Sequence, residues 1–582
     1  MSFTLALQSA RRAVLGTARR HRVPVDGSNV VILAMLAAAR PGPCQHVRCS
    51  TPGRSDVLDK VHLPPHAVAR WADETPDAVA VEQVGGTRLT YAELHREALR
   101  WATALEGVGV VEGAHVATFL PTRTEAQLAM LGLAWSKAVE VPVNAAHRGE
   151  ILRHTLDHSD SVLALVDESL LEHLAEVADQ LPQLRAVVVV GAEGPVSSSL
   201  PFHVLSQGEL LDGVEPVDGR DGPEVHDVAA LLFTSGTTGP SKAVIAPWGL
   251  IYSIWSWVPD DAFGPGEGLY CSLPMFHNSG RSGFTNAVDR GARFVFREKF
   301  SVTNFWDDVR ATGCVCAALV GPLTFLLWGA EPQPDDADNP LRGVILGPMI
   351  PDQAAFEERF GVKAATCYGQ TESGCPVTTG WDHGPPSNCG RTRETWPYNE
   401  VRIVDEHDEE VPTGVVGELV VRSPEPWALS LGYYRQPEAT VASVRNGWFH
   451  TGDGFKVDEE GWFYFVDRMR DSLRRRGENI SSFEVEAVLN RHPDAVEVAV
   501  VGIRTDLGDD EVFAAVEVAD PAAFDPAAFH EWASQQLSRF MVPRYVEATA
   551  ALPRNATTMR VLKAELRRRG VTDATWDARS RT

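Results

Sequence analysis

Thr234, Ser235, Gly236, Thr237, Thr238 and Gly239, followed after one proline by Ser241 and Lys242, bring hydroxyl groups, two residues without Cβ and one ammonium into a single short stretch. The chemistry such a set supports is the holding of a polyanion. Gly236 and Gly239 let the backbone turn back so that successive N–H groups converge on one anion. The hydroxyls of Thr234, Ser235, Thr237, Thr238 and Ser241 add donors, and Lys242 adds a mobile point charge that can follow a polyphosphate as it reacts. The spacing is not GxxxxGK[ST], since Gly239 is followed by Pro-Ser-Lys and no helix-forming run starts after the lysine. A flexible surface connection is the bland reading of one glycine loop. An unbroken run of hydroxyl and glycine residues closed by Pro-Ser-Lys argues for a phosphate cradle.

Such a loop needs a rigid support, and the apolar run Val228 to Phe233 before it has the length of a buried strand. Upstream, runs at His115 to Leu120, Val139 to Val143, Ser161 to Val166 and Ala186 to Val190 alternate with helical stretches such as Thr124 to Ser136. That alternation predicts an α/β body of layered sheets with helices on their faces. Thr90 with Glu93 three residues on predicts a capped helix whose apolar face carries Leu94, Ala98, Trp101 and Leu105. Further strands are expected at Gly313 to Leu319 and from Gly343, and near the end a helix at Phe483 to Asn490 and strands at Val496 to Val501 and Phe513 to Val518.

The chain has 582 residues, too many for one core, with 44% apolar and 23% charged residues as in ordinary globular proteins. A formal charge of −25 argues against a nucleic-acid binder, which needs a basic face. Residues 1–60 differ in kind: arginines outnumber acids, and the apolar run Val30 to Ala39 is too short to span a bilayer of about 30 Å. They read as a disordered extension, the basic section being too long for an ordinary signal peptide. Eight cysteines are spaced irregularly, which favours reduced thiols and a cytoplasmic setting over a disulfide framework. Cys44-x-His46-x-x-Cys49 has no second half with metal-site spacing.

The string TSGTTGPSK resembles the phosphate-binding signature of the AMP-forming adenylate synthetases, the group of acyl-CoA synthetases, nonribosomal adenylation domains and luciferases. The likeness runs from about His62 to about Arg568 and implies a large N-terminal body, a hinge and a smaller α+β C-terminal domain. The corresponding boundaries are 61–469 for the body, 470–570 for the mobile domain and 571–582 for a tail. By this resemblance Gly347-Pro348-Met349 forms the turn against adenine. Within Tyr368-Gly369-Gln370-Thr371-Glu372, Tyr368 offers its ring to the purine, Thr371 a hydroxyl to the α-phosphate and Glu372 an oxygen to Mg²⁺. Asp453 grips the ribose diol and Arg468 is the second ribose contact. Phe276 and His277 border the acyl or thiol channel. Arg281 is either a grip on a second anionic group of the substrate or a surface arginine, on its residue type alone. Arg470 stands at the hinge, where the family has Asp or Lys, and the turn Gly477-Glu478-Asn479 borders the tunnel for CoA. The closing motif departs from the family pattern. Met559 and Arg560 replace the expected Gly-Lys, and a planar guanidinium is not equivalent to a point ammonium.

The reaction this implies uses ATP, Mg²⁺ and a small-molecule acid to form an acyl-adenylate, which CoA then captures. The layout is most similar to the carnitine/crotonobetaine-CoA ligase type. Two alternatives stay open. One is an adenylate-forming natural-product enzyme with another acid or acceptor: an aryl or amino acid, an amide ligase, or nitrite activation for diazotisation. The other is a nucleotide-binding regulator without turnover. Neither a nucleic-acid partner nor a membrane span is expected, and the sequence leaves the oligomeric state undetermined.

Overall fold

The apolar run before the loop folds as the strand Val228–Thr234, and the residues from the lysine onward return as the strand Lys242–Pro247. The two pair antiparallel with Thr234 opposite Lys242, so the residues that bracket the loop are held side by side. The computed structural model describes residues 58–580 apart from 235–239, 321, 348–352, 383, 469–471, 476–477, 506–508, 554–560 and 562.

Among the described residues, the hairpin forms one edge of a seven-stranded sheet. Next to it lie Val139–Pro142, His115–Phe119, Leu163–Asp167, Ala186–Val190 and His203–Ser206. These strands are parallel, and Val139–Pro142 and Leu163–Asp167 are buried along their whole length. Burial on both faces is what a parallel sheet covered on each side requires, and the one charged residue inside Val139–Pro142, Glu140, is buried with it. The helix Tyr91–Gly107 packs over this body with the predicted cap: Thr90 Oγ1 accepts from Glu93 N at 3.2 Å, and Thr90 N donates to Glu93 Oε2 at 2.9 Å.

A second sheet of nine strands has a parallel interior running Lys363–Gln370, Gly343–Gly347, Cys314–Val320, Gly268–Tyr270, Arg293–Phe296 and Val79–Gln83. Gly347 and Tyr368 therefore lie at the carboxyl ends of neighbouring strands, as Thr234 does in the first sheet. Carboxyl ends are where open α/β sheets present loops to ligands. An antiparallel third sheet, which the sequence reading did not resolve, joins Glu400–Val404, Gly417–Arg422, Trp448–Val457 and Phe463–Arg468. It sets Asp453 directly opposite Arg468 in register.

The C-terminal part is smaller and of mixed α+β build. A hairpin of Ser472–Arg475 and Glu478–Ser481, the helix Ser482–Leu489, a four-stranded sheet and the helix Pro526–Gln536 surround their own apolar core. Ile151, from the body helix Gly149–His158, packs into that core, and Ser538 Oγ donates to the carbonyl of Ala146. The fold is thus α/β, a large N-terminal body with a smaller α+β domain after it. No helix among the described residues is long and apolar enough to cross a membrane.

Candidate active site

The hairpin alone does not complete the site; a distant segment does. Residues 431–434 run along the open edge of Lys242–Pro247, with Leu431 N donating to Ile245 O at 3.0 Å and Tyr434 N to Ala243 O at 2.8 Å. This places Tyr433 beneath the lysine, with Lys242 Nζ 4.7 Å from the ring centroid. Tyr433 Oη donates to Glu372 Oε1 at 3.0 Å, and Thr234 Oγ1 donates to the same oxygen at 3.4 Å. Burial, and then the carboxylate of Glu372, raise the Tyr433 phenol, so it stays a donor at any working pH. On the far side of the hairpin, His154 Nε2 donates to the carbonyl of Ser241 at 3.0 Å, fixing the residue before the lysine.

The second cluster forms where the third sheet meets the strand Lys363–Gln370. Tyr368 Oη donates to Asp453 Oδ2 at 2.7 Å, and Gln370 Nε2 donates to the same oxygen at 2.8 Å and to Thr451 O at 2.9 Å. Asp453 is 3% exposed and held from below as well. Glu418 Oε1 accepts from Gly452 N at 2.9 Å, and its other oxygen lies 2.9 Å from His450 Nδ1. Tyr368 meets Phe455 edge to face at 4.6 Å, which fixes the plane of its ring. Thr371 and Glu372 sit in the turn that joins the two clusters.

Of the expected site residues, Thr234, Lys242, Tyr368, Gly369, Thr371, Glu372 and Asp453 are thus placed around these two clusters, with Gly347 at the end of the adjoining strand. Arg468 is described through its backbone, in register with Asp453. His277 is exposed and caps the helix Asn278–Asp289, its Nδ1 accepting from Ser279 N at 3.2 Å, and Phe276 beside it is half-buried. Arg281 needs correction. It is not a surface residue: it is 1% exposed, and Nη1 donates to Glu140 Oε2 at 2.7 Å. A buried guanidinium demands a buried carboxylate, and Glu140, 4% exposed, supplies it while also accepting from Thr118. Glu478 lies in the C-terminal domain, where burial pushes its carboxyl up to about 7. Ser235, Gly236, Thr237, Thr238, Gly239, Pro348, Arg470, Gly477 and Arg560 lie outside the described residues, as does the Cys44–Cys49 stretch.

Sequence reasoning left Tyr433, Gln370 and Glu418 without a role. Each lies inside a motif, but its importance comes from contacts made across the chain, 34 residues for Glu418 with Gly452, 61 for Tyr433 with Glu372 and 83 for Gln370 with Asp453. Glu372 is the group suited to a hard cation: a carboxylate already receiving hydroxyl donors, beside a lysine that attracts phosphate. Among the described residues no cluster of three or more His, Cys, Asp or Glu side chains has the makings of a metal cage. A single protein carboxylate sharing an ion with substrate phosphates is the usual arrangement for Mg²⁺.

A cleft of about 520 Å³ opens between the body and the C-terminal domain, lined by Ala145, Ala146 and Arg148 on one side and by Arg475, Arg539 and Arg544 among others on the other. Arg475 is committed to Glu511 at 2.6 Å, and Arg544 to Asp577 at 2.9 Å. Arg148 and Arg539 are exposed and carry no carboxylate partner among the described residues.

Comparison with known proteins gives the family. Residues 68–434 match the AMP-binding enzyme family, and residues 484–558 match the AMP-binding enzyme C-terminal domain. A crotonobetaine/carnitine–CoA ligase of Proteus mirabilis (strain HI4320) is 30% identical over 535 residues, 88% of this chain and 100% of that one. The amide bond synthetase of Marinactinospora thermotolerans is 26% identical, with a TM-score of 0.74 over 86% of this chain and 99% of that one. A double mutant of o-succinylbenzoate CoA synthetase from Bacillus subtilis, 24% identical, shares the fold with a TM-score of 0.75 over 87% and 98% of the two chains. With the family spanning most of the body and its second domain following in order, this chain belongs to the AMP-binding enzymes and is an AMP-forming ligase.

Proposed function

We propose that the protein activates a small carboxylic acid with ATP and hands the acyl group to the thiol of coenzyme A. The observation that carries this reading is the meeting of Lys242, Thr234 and Glu372 with the Asp453 cluster at the carboxyl ends of strands from two sheets. One cluster suits a polyphosphate, the other a ribose diol, because two oxygens on one rigid carboxylate match a cis-diol. A carboxylate oxygen attacks the α-phosphorus and pyrophosphate leaves. Lys242 and the loop donors stabilise the charge as it moves outward. Glu372 is the residue that would hold Mg²⁺, which when bound neutralises charge on the phosphates. Thr371 faces the α-phosphate in this reading, and Arg560 takes the place of the lysine that bridges carboxylate and phosphate. The thiol sulfur then attacks the acyl carbon and AMP leaves.

For the second half, the cleft between body and C-terminal domain offers Arg148 and Arg539 to an anionic, multiply phosphorylated thiol such as CoA. Gly477 and Glu478 would line the path of its arm, and Arg470 would serve as the pivot between 61–469 and 470–570. Phe276 and His277 would border the acyl group.

The test is a hydroxylamine-trapped adenylation screen over short, fatty, aromatic and amino acids, with nitrite plus an arylamine as a further arm, followed by addition of CoA to every hit. Hydroxamate with one acid class and thioester on adding CoA is the expected result. Hydroxamate without thioester points to another acceptor, an amine first. No ATP–pyrophosphate exchange with any acid leaves the nucleotide-binding regulator. Lys242→Ala is expected to lower exchange by roughly 100-fold or more.

A further inference from the structure

Cys367 and Cys375 stand on neighbouring antiparallel strands, with Cys367 Sγ donating to Cys375 Sγ at 3.3 Å. What brings them together is an irregularity in the pairing. Tyr368 faces Val377 and Gln370 faces Gly374, so Gly369 alone opposes both Cys375 and Pro376, a β-bulge. Gly369 is required there, because a Cβ would lie 2.5 Å from Gly374 O and 2.7 Å from Cys375 Sγ. The space a side chain would fill is the space through which the Cys375 sulfur reaches Cys367. Beyond the pair, the Arg393 guanidinium is buried and tied to Ser253 O and Ser256 Oγ, both at 2.6 Å. Cys375 is held below the ordinary thiol range, first by the hydrogen bond from Cys367 and then by Arg393, while Cys367 is raised.

The residues between the two sulfurs include Tyr368, Gln370, Thr371 and Glu372. The pair thus closes the base of the segment that presents the adenine ring contact, the ribose-carboxylate donors and the metal-holding carboxylate.

We propose that Cys367 and Cys375 form an oxidisable dithiol whose closure to a disulfide by a peroxide switches off adenylation. The Cys375 thiolate attacks one peroxide oxygen, breaking the O–O bond and giving a sulfenic acid and hydroxide. The Cys367 sulfur then attacks the sulfenic sulfur, the S–S bond forms, and hydroxide leaves as water with the proton of the Cys367 thiol. Two thiols are oxidised and one peroxide is reduced to two waters. A disulfide has an S–S length of about 2.05 Å, so the sulfurs must close by more than 1 Å from 3.3 Å. That movement is applied next to Tyr368 and Gln370, whose donors reach Asp453 at 2.7 and 2.8 Å. A displacement of about 1 Å at such a site is enough to cost up to 100-fold in rate.

The experiment treats the full-length reduced protein with hydrogen peroxide, maps crosslinked peptides by mass, and measures ATP–pyrophosphate exchange before treatment, after it, and after dithiothreitol. The expected result is a 367–375 crosslink lacking two hydrogens, a loss of exchange of at least about tenfold, and recovery on reduction. In Cys375→Ala and Cys367→Ala the ratio of treated to untreated exchange is expected to stay near one. No 367–375 crosslink at a peroxide dose that fully oxidises glutathione overturns the proposal, as does a crosslink to Cys389 in its place. It is equally overturned by a crosslink that leaves exchange unchanged, or by equal inactivation of the alanine variants. The activity readout rests on the adenylation reading. If the reduced protein shows no exchange with any acid, that reading fails, and the mass map together with ATP binding by calorimetry still decides the thiol pair.

Discussion

Glu372 accepts hydrogen bonds from two hydroxyls on one oxygen, so removing either donor changes how the carboxylate is aimed without removing its charge. Tyr433→Phe deletes only the shorter of these, and Lys242 keeps its ring contact. Exchange is therefore expected to fall by roughly tenfold, the worth of one hydrogen bond to a charged group, with more Mg²⁺ needed for half-maximal rate. A Mg²⁺ titration of exchange in the two proteins checks this; identical curves would remove Tyr433 from the site. Glu478 gives a prediction in pH. Burial raises its carboxyl to about 7 from the ordinary 4.5, so between those values the folded chain holds a proton that the unfolded chain has lost. Its contribution to stability is complete below pH 4.5 and is lost as pH rises through about 7. Glu478→Gln should then melt above the parent at pH 8, by the equivalent of on the order of 1 to 3 kcal/mol, and the gap should close towards pH 5. Melting curves at the two pH values decide it. At this scale the sequence singled out Lys242, Glu372 and Asp453, because each needs a residue type that few other jobs require, and the structure places them in the two clusters. Tyr433 and Gln370 were not legible, since an aromatic ring and an amide serve equally well in a core. The burial of Arg281 was not legible either, because its partner Glu140 lies 141 residues away in the chain.

The strands and helices were the more readable part. Ala186–Val190 was marked by its β-branched run, Tyr91–Gly107 by its capping box, and Cys314–Val320 to within a residue. What alternation of short runs cannot disclose is which strand lies beside which. The third sheet and the edge pairing of residues 431–434 escaped for that reason, although they carry Asp453 and Tyr433 into place. The edge segment depends on Gly432, which has a φ of 102° and whose Cβ would lie 2.4 Å from Thr440 Cγ2. An L side chain is strained in that conformation before the contact is counted. Gly432→Ala is accordingly expected to lower stability by about 1 to 3 kcal/mol and to reduce exchange more than Tyr433→Phe does. It shifts the whole residue rather than one hydroxyl. Thermal melting with exchange kinetics tests the order, and a variant that melts and turns over like the parent would show that the edge pairing does not set the site.

Across the molecule, the two halves of the reaction have different walls. In the proposed reaction exchange uses groups that are all in the body except Arg560, whereas the cleft proposed for CoA has Arg148 on the body and Arg539 on the C-terminal domain. A ligand bridging them is held only while the two parts stand as they do here, with Ile151 in the C-terminal core and the Glu150 carboxylate 3.7 Å from Arg491. Arg148→Ala and Arg539→Ala are each expected to raise KM for CoA by about tenfold, the scale of one charge-assisted contact at a partly exposed site. Exchange should move by less than about twofold, since neither side chain touches the two clusters around Asp453 and Glu372. Added salt should raise KM for CoA in the parent and do so less steeply in either variant, because each has lost one screened charge. Steady-state kinetics at two ionic strengths separate this from a general loss of fold. If both variants keep the parent's KM for CoA, the thiol's phosphates lie elsewhere, and the cleft is only the seam along which the two parts meet.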